Sequence, residues 1–143
     1  LPFDYRVLGI SRFANTQALF DRADSLGARY WLDDDLQTET GVQAALAALA
    51  PDIAACDALY LTTDIDVLPA ATAPGVSAPA PLGVPLWAIE RVVDCVLASG
   101  KLAAADFAEF NPGHDRDSIT AKVVARLAAR IARGDAGVSP ARP

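Results

Sequence analysis

The chain has 143 residues, of which 52% are hydrophobic and 21% are charged, and this profile is typical of one globular domain with a sizeable core. The 12 basic residues are scattered among 18 acidic ones, giving a net charge of -6, which argues against a nucleic-acid partner. No apolar run reaches the roughly 18 to 20 residues that cross a bilayer, and no signal-peptide pattern is present, so a cytoplasmic protein without membrane spans is predicted.

The order of the predicted elements indicates the fold class. The chain opens at Leu1 and contains no methionine, so we expect a piece of a longer protein. Apolar runs bounded by Gly, Pro or Asp predict strands at 5–10, 28–32, 56–63 and 102–110. Helical patterns lie between them. This alternation predicts an α/β fold with a parallel sheet.

The first predicted helix begins at Asn15 and ends at Gly27, a residue suited to a left-handed terminus. Its apolar face is formed by Leu19, Ala23 and Leu26. A second helix is predicted at 38–49. These two helices separate the first three strands.

The third strand contains the continuous apolar run 58–61, Ala-Leu-Tyr-Leu. Parallel strands are covered on both faces and lack polar alternation, so this run is predicted to be a central strand. Cys56 lies at its start and Cys95 lies in the next helix, both in apolar surroundings. Buried free thiols are predicted for them, with a disulfide or a zinc site as the alternatives.

Two more helices complete the predicted elements. After a long loop at 70–85, a third helix begins near Pro85 and ends at Gly100. Its buried side is predicted to contain Leu86, Ile89, Val93 and Val96. A fourth helix begins at Asp117, and it places Ile119, Val123, Leu127 and Ile131 opposite Lys122, Arg126 and Arg130. We therefore expect one domain at 1–133 and a flexible tail at 134–143.

The motif Asp64-Ile65-Asp66 directly follows the third strand. Side chains at i and i+2 of an extended chain point to the same side, so the two carboxylates are predicted to converge. They would do so at the carboxyl edge of a parallel sheet, where ligands usually bind, and hard divalent cations prefer such oxygens. The structural alternative is a solvated pair that caps a strand end.

A longer stretch around this motif resembles a known family. The sequence DIDVLPAATAPGVSAPAPLGVPL is similar to that of the ureohydrolases, the arginases, agmatinases and formimidoylglutamases, in which an Asp-x-Asp strand end precedes a Pro/Gly-rich loop. The later segment AADFAEFNP resembles the next strand of that family, and YRVLGISRFANTQALFDRADSLGARYWLDDD resembles its formimidoylglutamase branch. The loop Pro-Gly-Val-Ser-Ala-Pro at 74–79 departs from the Pro-Gly-Thr-Gly-Thr-Pro type of arginases and favours the same branch.

The resemblance implies an arginase-like fold, in which a parallel sheet lies between helices as a three-layer structure, here without the amino-terminal strands. It implies that Asp64 and Asp66 are metal ligands of a binuclear manganese (Mn2+) centre and that Glu109 binds the cationic amidine of the substrate. The implied reaction converts N-formimidoyl-L-glutamate and water into L-glutamate and formamide, in histidine degradation, through a manganese-activated hydroxide. Because the family's histidine motifs are not present, this chain alone is predicted to be inactive.

Further positions are predicted around this site. Arg12 and Asn15 follow the first strand and are candidates for binding the substrate's carboxylates, with surface or capping roles as alternatives. His114 is the only histidine, and we expect it to lie in an exposed loop without binding metal. The expected partners are a small-molecule amidine and further copies of the chain in a homo-oligomer.

The sequence is also compatible with three alternative functions. The chain could belong to another ureohydrolase branch, such as an arginase, an agmatinase or a guanidino-acid hydrolase. It could be a non-catalytic interaction fragment whose exposed strands pair with another chain. Haloacid-dehalogenase-like phosphatases also place Asp-x-Asp after an apolar strand, although their motif usually has Thr or Val where this chain has Leu68.

Overall fold

The structure is a computed structural model that describes residues 3–134, so nearly all of the predicted tail lies outside the described residues. Strands and helices alternate along these residues, as predicted. They are β1 (Arg6–Ile10), α1 (Gln17–Ser25), β2 (Arg29–Leu32), α2 (Glu39–Ala55), β3 (Leu59–Asp64), α3 (Leu86–Ala98), β4 (Leu102–Ala108) and α4 (Ile119–Arg133). Short 3-10 turns at Asp34–Leu36 and Ile65–Val67 follow β2 and β3.

The strands form two parallel pairs. β1 pairs with β2, and β3 pairs with β4, each in parallel register. Between residues 3 and 134 no ladder of hydrogen bonds joins one pair to the other. Parallel strands need a crossover of a dozen or more residues, which the helices supply. The predicted α/β class, with parallel sheets flanked by helices, is confirmed.

The core lies between the strands and helices α2, α3 and α4. Its least exposed members include Leu36, Val42, Ile65, Leu68, Val93 and Leu127. Arg130 of α4 also donates two hydrogen bonds to the Asp94 carboxylate of α3, at 2.6 and 2.7 Å. This bidentate pair fixes the two helices relative to each other.

The prediction that the third strand is covered on both faces is wrong for the described residues. Tyr60 and Thr62 are exposed, whereas Thr63 on the opposite face is buried. The Tyr60 and Thr62 hydroxyls both donate to the Asp106 carboxylate of β4, so this face of the β3–β4 pair carries polar contacts. The apolar run therefore does not indicate a strand buried on both faces here.

Helix α2 is longer than predicted and continues past Pro51. Two contacts explain why it does not end before the proline. The Asp52 carboxylate accepts hydrogen bonds from Arg6 at 2.6 Å and from Arg29 at 2.8 Å. The Lys101 ammonium then donates to the carbonyl oxygens of Ile53, Ala54 and Cys56, which have no partner within the helix. Tertiary contacts thus stabilise the last turn.

We expect Lys101→Met to lower the free energy of unfolding by about 1–2 kcal/mol, because three carbonyl groups at the helix end lose a cationic donor. Lys122→Met is the matched control, since the Lys122 ammonium donates to the carbonyl oxygen of Asp117 in an exposed position. Its expected cost is below about 0.5 kcal/mol. Urea unfolding of both variants measures the difference, and equal losses would contradict this role of Lys101.

The apolar face of α1 differs from the prediction, and that of α4 differs only at its first position. Leu19 and Leu26 of α1 are exposed, and the helix contacts the sheet instead through Phe20, whose ring centroid lies 5.4 Å from that of Tyr30. In α4, Val123 and Leu127 are buried as predicted, whereas Ile119 is 39% exposed and the neighbouring Thr120 is buried instead. The Thr120 hydroxyl accepts a hydrogen bond from a backbone amide in a distant loop.

The cysteines are free, as predicted, but they are half-buried rather than fully buried. The Cys56 thiol donates to the carbonyl oxygen of Ile53, and burial raises the pKa of the Cys95 thiol. Within residues 3–134, no helix combines the length and the apolar character that a membrane span requires.

Candidate functional site

The turn after β3 positions the two aspartates. Asp64 is the last residue of the strand, and Asp66 lies in the 3-10 turn that follows it. Ile65 in this turn and Leu68 directly after it are fully buried, so the core fixes the backbone that carries the carboxylates. The two aspartates were predicted to lie on one extended segment. Only Asp64 has the extended conformation of a strand, because the chain turns at Asp66.

Glu109 follows the end of β4 and has a left-handed backbone conformation, with φ of 63°. The predicted strand at 102–110 is therefore too long, because β4 ends at Ala108. A left-handed conformation costs a non-glycine residue roughly 1–2 kcal/mol and is often found at functional positions. The Ser77 hydroxyl donates to the Glu109 carboxylate at 3.2 Å, which links the side chain to the loop after β3.

Asp64, Asp66 and Glu109 form a cluster that we call the acidic edge. Burial raises the pKa of Asp64, and the negative charges of Glu109 and Asp106 raise it further. Burial likewise raises the pKa of Asp66, with additional contributions from Asp64 and Glu109. The three predicted site residues are therefore close enough to repel one another.

The acidic edge fits a cation in its donor chemistry. Among the described residues, none of the ion pairs involves these three carboxylates, so their mutual repulsion is not offset by Lys or Arg. Hard divalent cations prefer such oxygen ligands. However, in residues 3–134 no three His, Cys, Asp or Glu side chains come together closely enough to hold a metal ion. The three carboxylates by themselves therefore do not form a complete metal site.

Asp106 differs from the acidic edge although it lies nearby. Hydrogen bonds from the Tyr60 and Thr62 hydroxyls lower its pKa, because they stabilise the ionised carboxylate. The ionised form of Asp106 is thus already stabilised by two neutral hydroxyl donors. This makes Asp106 a structural acid and a useful control for variants of the acidic edge.

The loops that carry Ser77 and Glu109 are joined by hydrogen bonds that could not be predicted from the sequence. The Asn111 backbone amide donates to the carbonyl oxygen of Gly75 at 2.8 Å. Nδ1 of His114 lies 3.0 Å from the carbonyl oxygen of Val76. A carbonyl only accepts, so Nδ1 is the donor. His114 is exposed, as predicted. Its hydrogen bond joins the loop after β4 to the loop after β3.

Asp115 and Thr120 complete this connection at the start of α4. The Asp115 carboxylate accepts from the backbone amides of Thr120 and Ala121, and it caps the helix in place of Ser118. Burial alone would raise the pKa of Asp115, but these hydrogen bonds outweigh it and lower the pKa. The buried Thr120 hydroxyl accepts a hydrogen bond from the Gly75 amide at 2.7 Å.

We expect Gly75→Ala to lower the free energy of unfolding by about 1–3 kcal/mol, because the added methyl overpacks a tight junction. Its Cβ would lie 2.7 Å from Cβ of Asp115 and 2.9 Å from the Thr120 hydroxyl. Gly113→Ala is the control in the facing loop, where the nearest atom is an Asn111 side-chain oxygen at 3.3 Å. Urea unfolding is the measurement, and a Gly75→Ala variant as stable as the control would contradict this packing.

Arg12 and Asn15 lie in the loop after β1. Asn15 lines a groove that also contains Asp64 and Asp66, and its side-chain amide donates to the carbonyl oxygen of Ser11. Arg12 is exposed and lies outside the groove lining. The structure thus places Asn15 on the same groove as the two aspartates, while the roles of both residues in binding remain predictions.

Comparisons with known proteins identify relatives along nearly the whole chain. Residues 1–133 match the arginase family. The formimidoylglutamase of Cupriavidus pinatubonensis is 54% identical over 130 residues, which cover 91% of this chain and 41% of that protein. The formimidoylglutamase of Hahella chejuensis is 55% identical over 132 residues, with 92% and 40% covered. The chain thus spans about 40% of the length of the curated relatives it matches.

Solved structures show the same fold. The formimidoylglutamase of Bacillus subtilis superimposes with a TM-score of 0.83 at 24% identity, covering 94% of this chain and 42% of that one. The arginase of Bacillus subtilis gives 0.79 at 21% identity, covering 88% and 44%. The predicted arginase-like fold is confirmed. The Asp-x-Asp strand end is also found in haloacid-dehalogenase-like phosphatases, but this chain belongs to the arginase family.

Proposed function

We propose that this chain forms part of a hydrolase that converts N-formimidoyl-L-glutamate and water into L-glutamate and formamide. The curated relatives named formimidoylglutamase, at 54% and 55% identity, support this choice among the reactions of the arginase family. The observation that carries the proposal is the acidic edge, since Asp64 and Asp66 line the groove and the negative charge of Glu109 helps to raise the pKa of both. A cationic amidine and divalent metal ions are the species that such an edge attracts.

Asp64 and Asp66 would hold manganese ions at the carboxyl end of β3. Both carboxylates have pKa values raised by burial and by neighbouring negative charge, and a bound cation would remove that repulsion. When bound, manganese would supply positive charge that acidifies water and so provides a nucleophile near neutral pH. The other ligands must come from outside these residues, which is why we propose that the chain alone turns over little substrate.

Glu109 would bind and orient the substrate. Its carboxylate is exposed and accepts one hydrogen bond, from Ser77, so it keeps acceptor capacity for the N–H groups of an amidinium. A planar amidinium pairs well with a carboxylate in a bidentate arrangement. The left-handed backbone at Glu109 and the Ser77 hydrogen bond would fix that direction before substrate arrives.

The glutamate portion of the substrate would extend toward the loop after β1. Asn15 lines the groove there, and Arg12 is a nearby cation whose charge also acts on Tyr30. An exposed arginine side chain is long enough to turn toward a bound carboxylate. Asn15 and Arg12 are thus our candidates for recognising the substrate's carboxylates.

The test uses a hybrid enzyme, in which this chain replaces the matched segment of the Cupriavidus pinatubonensis formimidoylglutamase. With manganese supplied, we expect the hybrid to release formamide and L-glutamate from N-formimidoyl-L-glutamate and to act poorly on arginine and agmatine. A folded hybrid that prefers arginine or agmatine, or that hydrolyses none of the three, would overturn the proposal. Calorimetric titration should show only weak manganese binding by the isolated chain.

A further inference from the structure

Ser77 faces Glu109 where the loop after β3 meets the segment after β4. The Asn111 amide donates to the Gly75 carbonyl oxygen at 2.8 Å. Two positions further along the loop, and two positions back along the other segment, the Ser77 hydroxyl donates to the Glu109 carboxylate at 3.2 Å. The two segments therefore run in opposite directions, and their register places Ser77 opposite Glu109.

The backbone that carries Ser77 is held by contacts on its amino-terminal side. The Gly75 amide donates to the buried Thr120 hydroxyl at 2.7 Å. Nδ1 of His114 donates to the carbonyl oxygen of Val76 at 3.0 Å, and the Val76 side chain is buried. Ser77 directly follows these anchored residues. Its position is thus set by the fold before a substrate binds.

The hydrogen bond from Ser77 reduces the number of acceptor sites that Glu109 can offer to a substrate. An ionised carboxylate has about four lone-pair sites. Within residues 3–134, the Glu109 carboxylate accepts a hydrogen bond from Ser77 alone. About three sites therefore remain for the N–H groups of a bound cation.

Amidines and guanidines differ in what they require from such a carboxylate. An amidinium with one substituent has about three N–H groups, which the remaining acceptor sites match in number. A guanidinium with one substituent has about five, because a third nitrogen replaces the C–H group of the amidine. The additional amino group needs both space and an acceptor, and a donor left without an acceptor weakens binding.

The Ser77 side chain also occupies space beside Glu109. It places a carbon and a hydroxyl oxygen where a glycine would leave an opening. The Pro-Gly-Thr-Gly-Thr-Pro type of loop has a glycine at the matching position, whereas this chain has Pro-Gly-Val-Ser-Ala-Pro at 74–79. Ser77 thus removes both an acceptor site and the room for one additional amino group.

We propose that Ser77 is a specificity-determining residue, which makes Glu109 favour an amidine over the corresponding guanidine. It holds one carboxylate oxygen of Glu109 and fills the adjacent space. This inference rests on the proposed function, because Glu109 must be the group that receives the substrate. It goes further in assigning the choice between the two head groups to one side chain of the loop after β3.

Two substrates that differ in a single group test this role in the hybrid enzyme. N-formimidoyl-L-glutamate has a C–H group where N-carbamimidoyl-L-glutamate has an amino group, and their hydrolysis releases formamide and urea, respectively, together with L-glutamate. We expect Ser77→Gly to lower the ratio of kcat/KM for the amidine to kcat/KM for the guanidine at least about tenfold. Ser77→Ala should lower it by a smaller factor, and Ser77→Thr, which retains a hydroxyl, should keep the parent ratio.

Ala71→Gly is the matched control, since it adds the same backbone freedom at an exposed position of the same loop and should leave the ratio unchanged. Circular dichroism establishes that each hybrid folds, and Ser77→Ala decides the question if Ser77→Gly does not fold. With a parent hybrid that hydrolyses the amidine, an unchanged ratio in the Ser77 variants, or an equal decrease in Ala71→Gly, would overturn this inference alone. A folded parent hybrid that hydrolyses neither substrate would overturn the proposed function and this inference with it.

Discussion

Asp66→Asn is expected to reduce kcat/KM of the hybrid enzyme for N-formimidoyl-L-glutamate by at least about 100-fold, with a parallel loss of manganese affinity. The amide that replaces the carboxylate is neutral and donates on one side, so it is a poor ligand for a hard cation. Calorimetry with manganese and steady-state kinetics measure the two effects. Manganese affinity and activity that both match the parent hybrid would contradict the proposed role of Asp66.

The same substitution should stabilise the isolated chain at neutral pH. Burial and the charges of Asp64 and Glu109 raise the pKa of Asp66, so its ionised form weakens the folded state. The folded chain then binds protons more tightly than the unfolded chain, and the wild type gains stability as the pH falls through the raised pKa. The advantage of Asp66→Asn, about 2 °C in melting temperature, should therefore shrink toward acidic pH.

Asp106→Asn is the control for this effect because its expected sign is opposite. Hydrogen bonds from Tyr60 and Thr62 lower the pKa of Asp106, so its ionised form supports the folded state. The variant should melt slightly below the wild type at neutral pH while keeping manganese affinity in the hybrid. Thermal melts between neutral and acidic pH compare the two variants. Shifts of the same sign would show that the acidic edge is not electrostatically distinct.

The elements and their ends were largely predictable because local chemistry determines them. Gly27 and Gly100 were expected to end helices, and both have a left-handed conformation, with φ of 70° and 68°. The end of α2 was missed because it depends on Lys101, which lies far along the chain and binds its last carbonyl groups. Local signals around Pro51 gave no indication of that contact.

The position of three acidic residues at one edge was predictable, but their backbone geometry was not. The sequence indicated that Asp64, Asp66 and Glu109 share one edge, because parallel strands end on the same side of a sheet. It did not indicate the turn at Asp66 or the left-handed conformation of Glu109. Those conformations depend on packing between segments that are distant in the sequence.

The junction between the two loops was missed altogether. The Gly75 amide donates to the Thr120 hydroxyl 45 positions away, and the Thr120 amide donates to the nearby Asp115 carboxylate. Each residue has an ordinary local interpretation as a turn glycine, a loop acid or a helix residue. The nearest available signal was the polar Thr120 beside the apolar face of α4, where a buried hydroxyl needs a partner.

Substitutions of Glu109 can separate its charge from its backbone conformation. Glu109→Gln keeps the size and the left-handed strain but removes the charge that would pair with an amidinium. We expect kcat/KM of the hybrid enzyme to fall by roughly 100- to 1000-fold, because a charged and oriented contact is lost. Stability of the isolated chain should change little, since the Glu109 side chain is exposed and the amide oxygen can still accept from Ser77.

Glu109→Gly should lose at least as much activity and yet make the isolated chain neutral to about 1 kcal/mol more stable, because glycine adopts a φ of 63° without strain. Glu39→Gly, in the first turn of α2, is the control and should cost about 1 kcal/mol. Urea unfolding and hybrid kinetics are the measurements. Equal destabilisation by both glycine variants would show that the conformation at position 109 is unstrained, whereas an active Glu109→Gln hybrid would exclude the proposed contact with substrate.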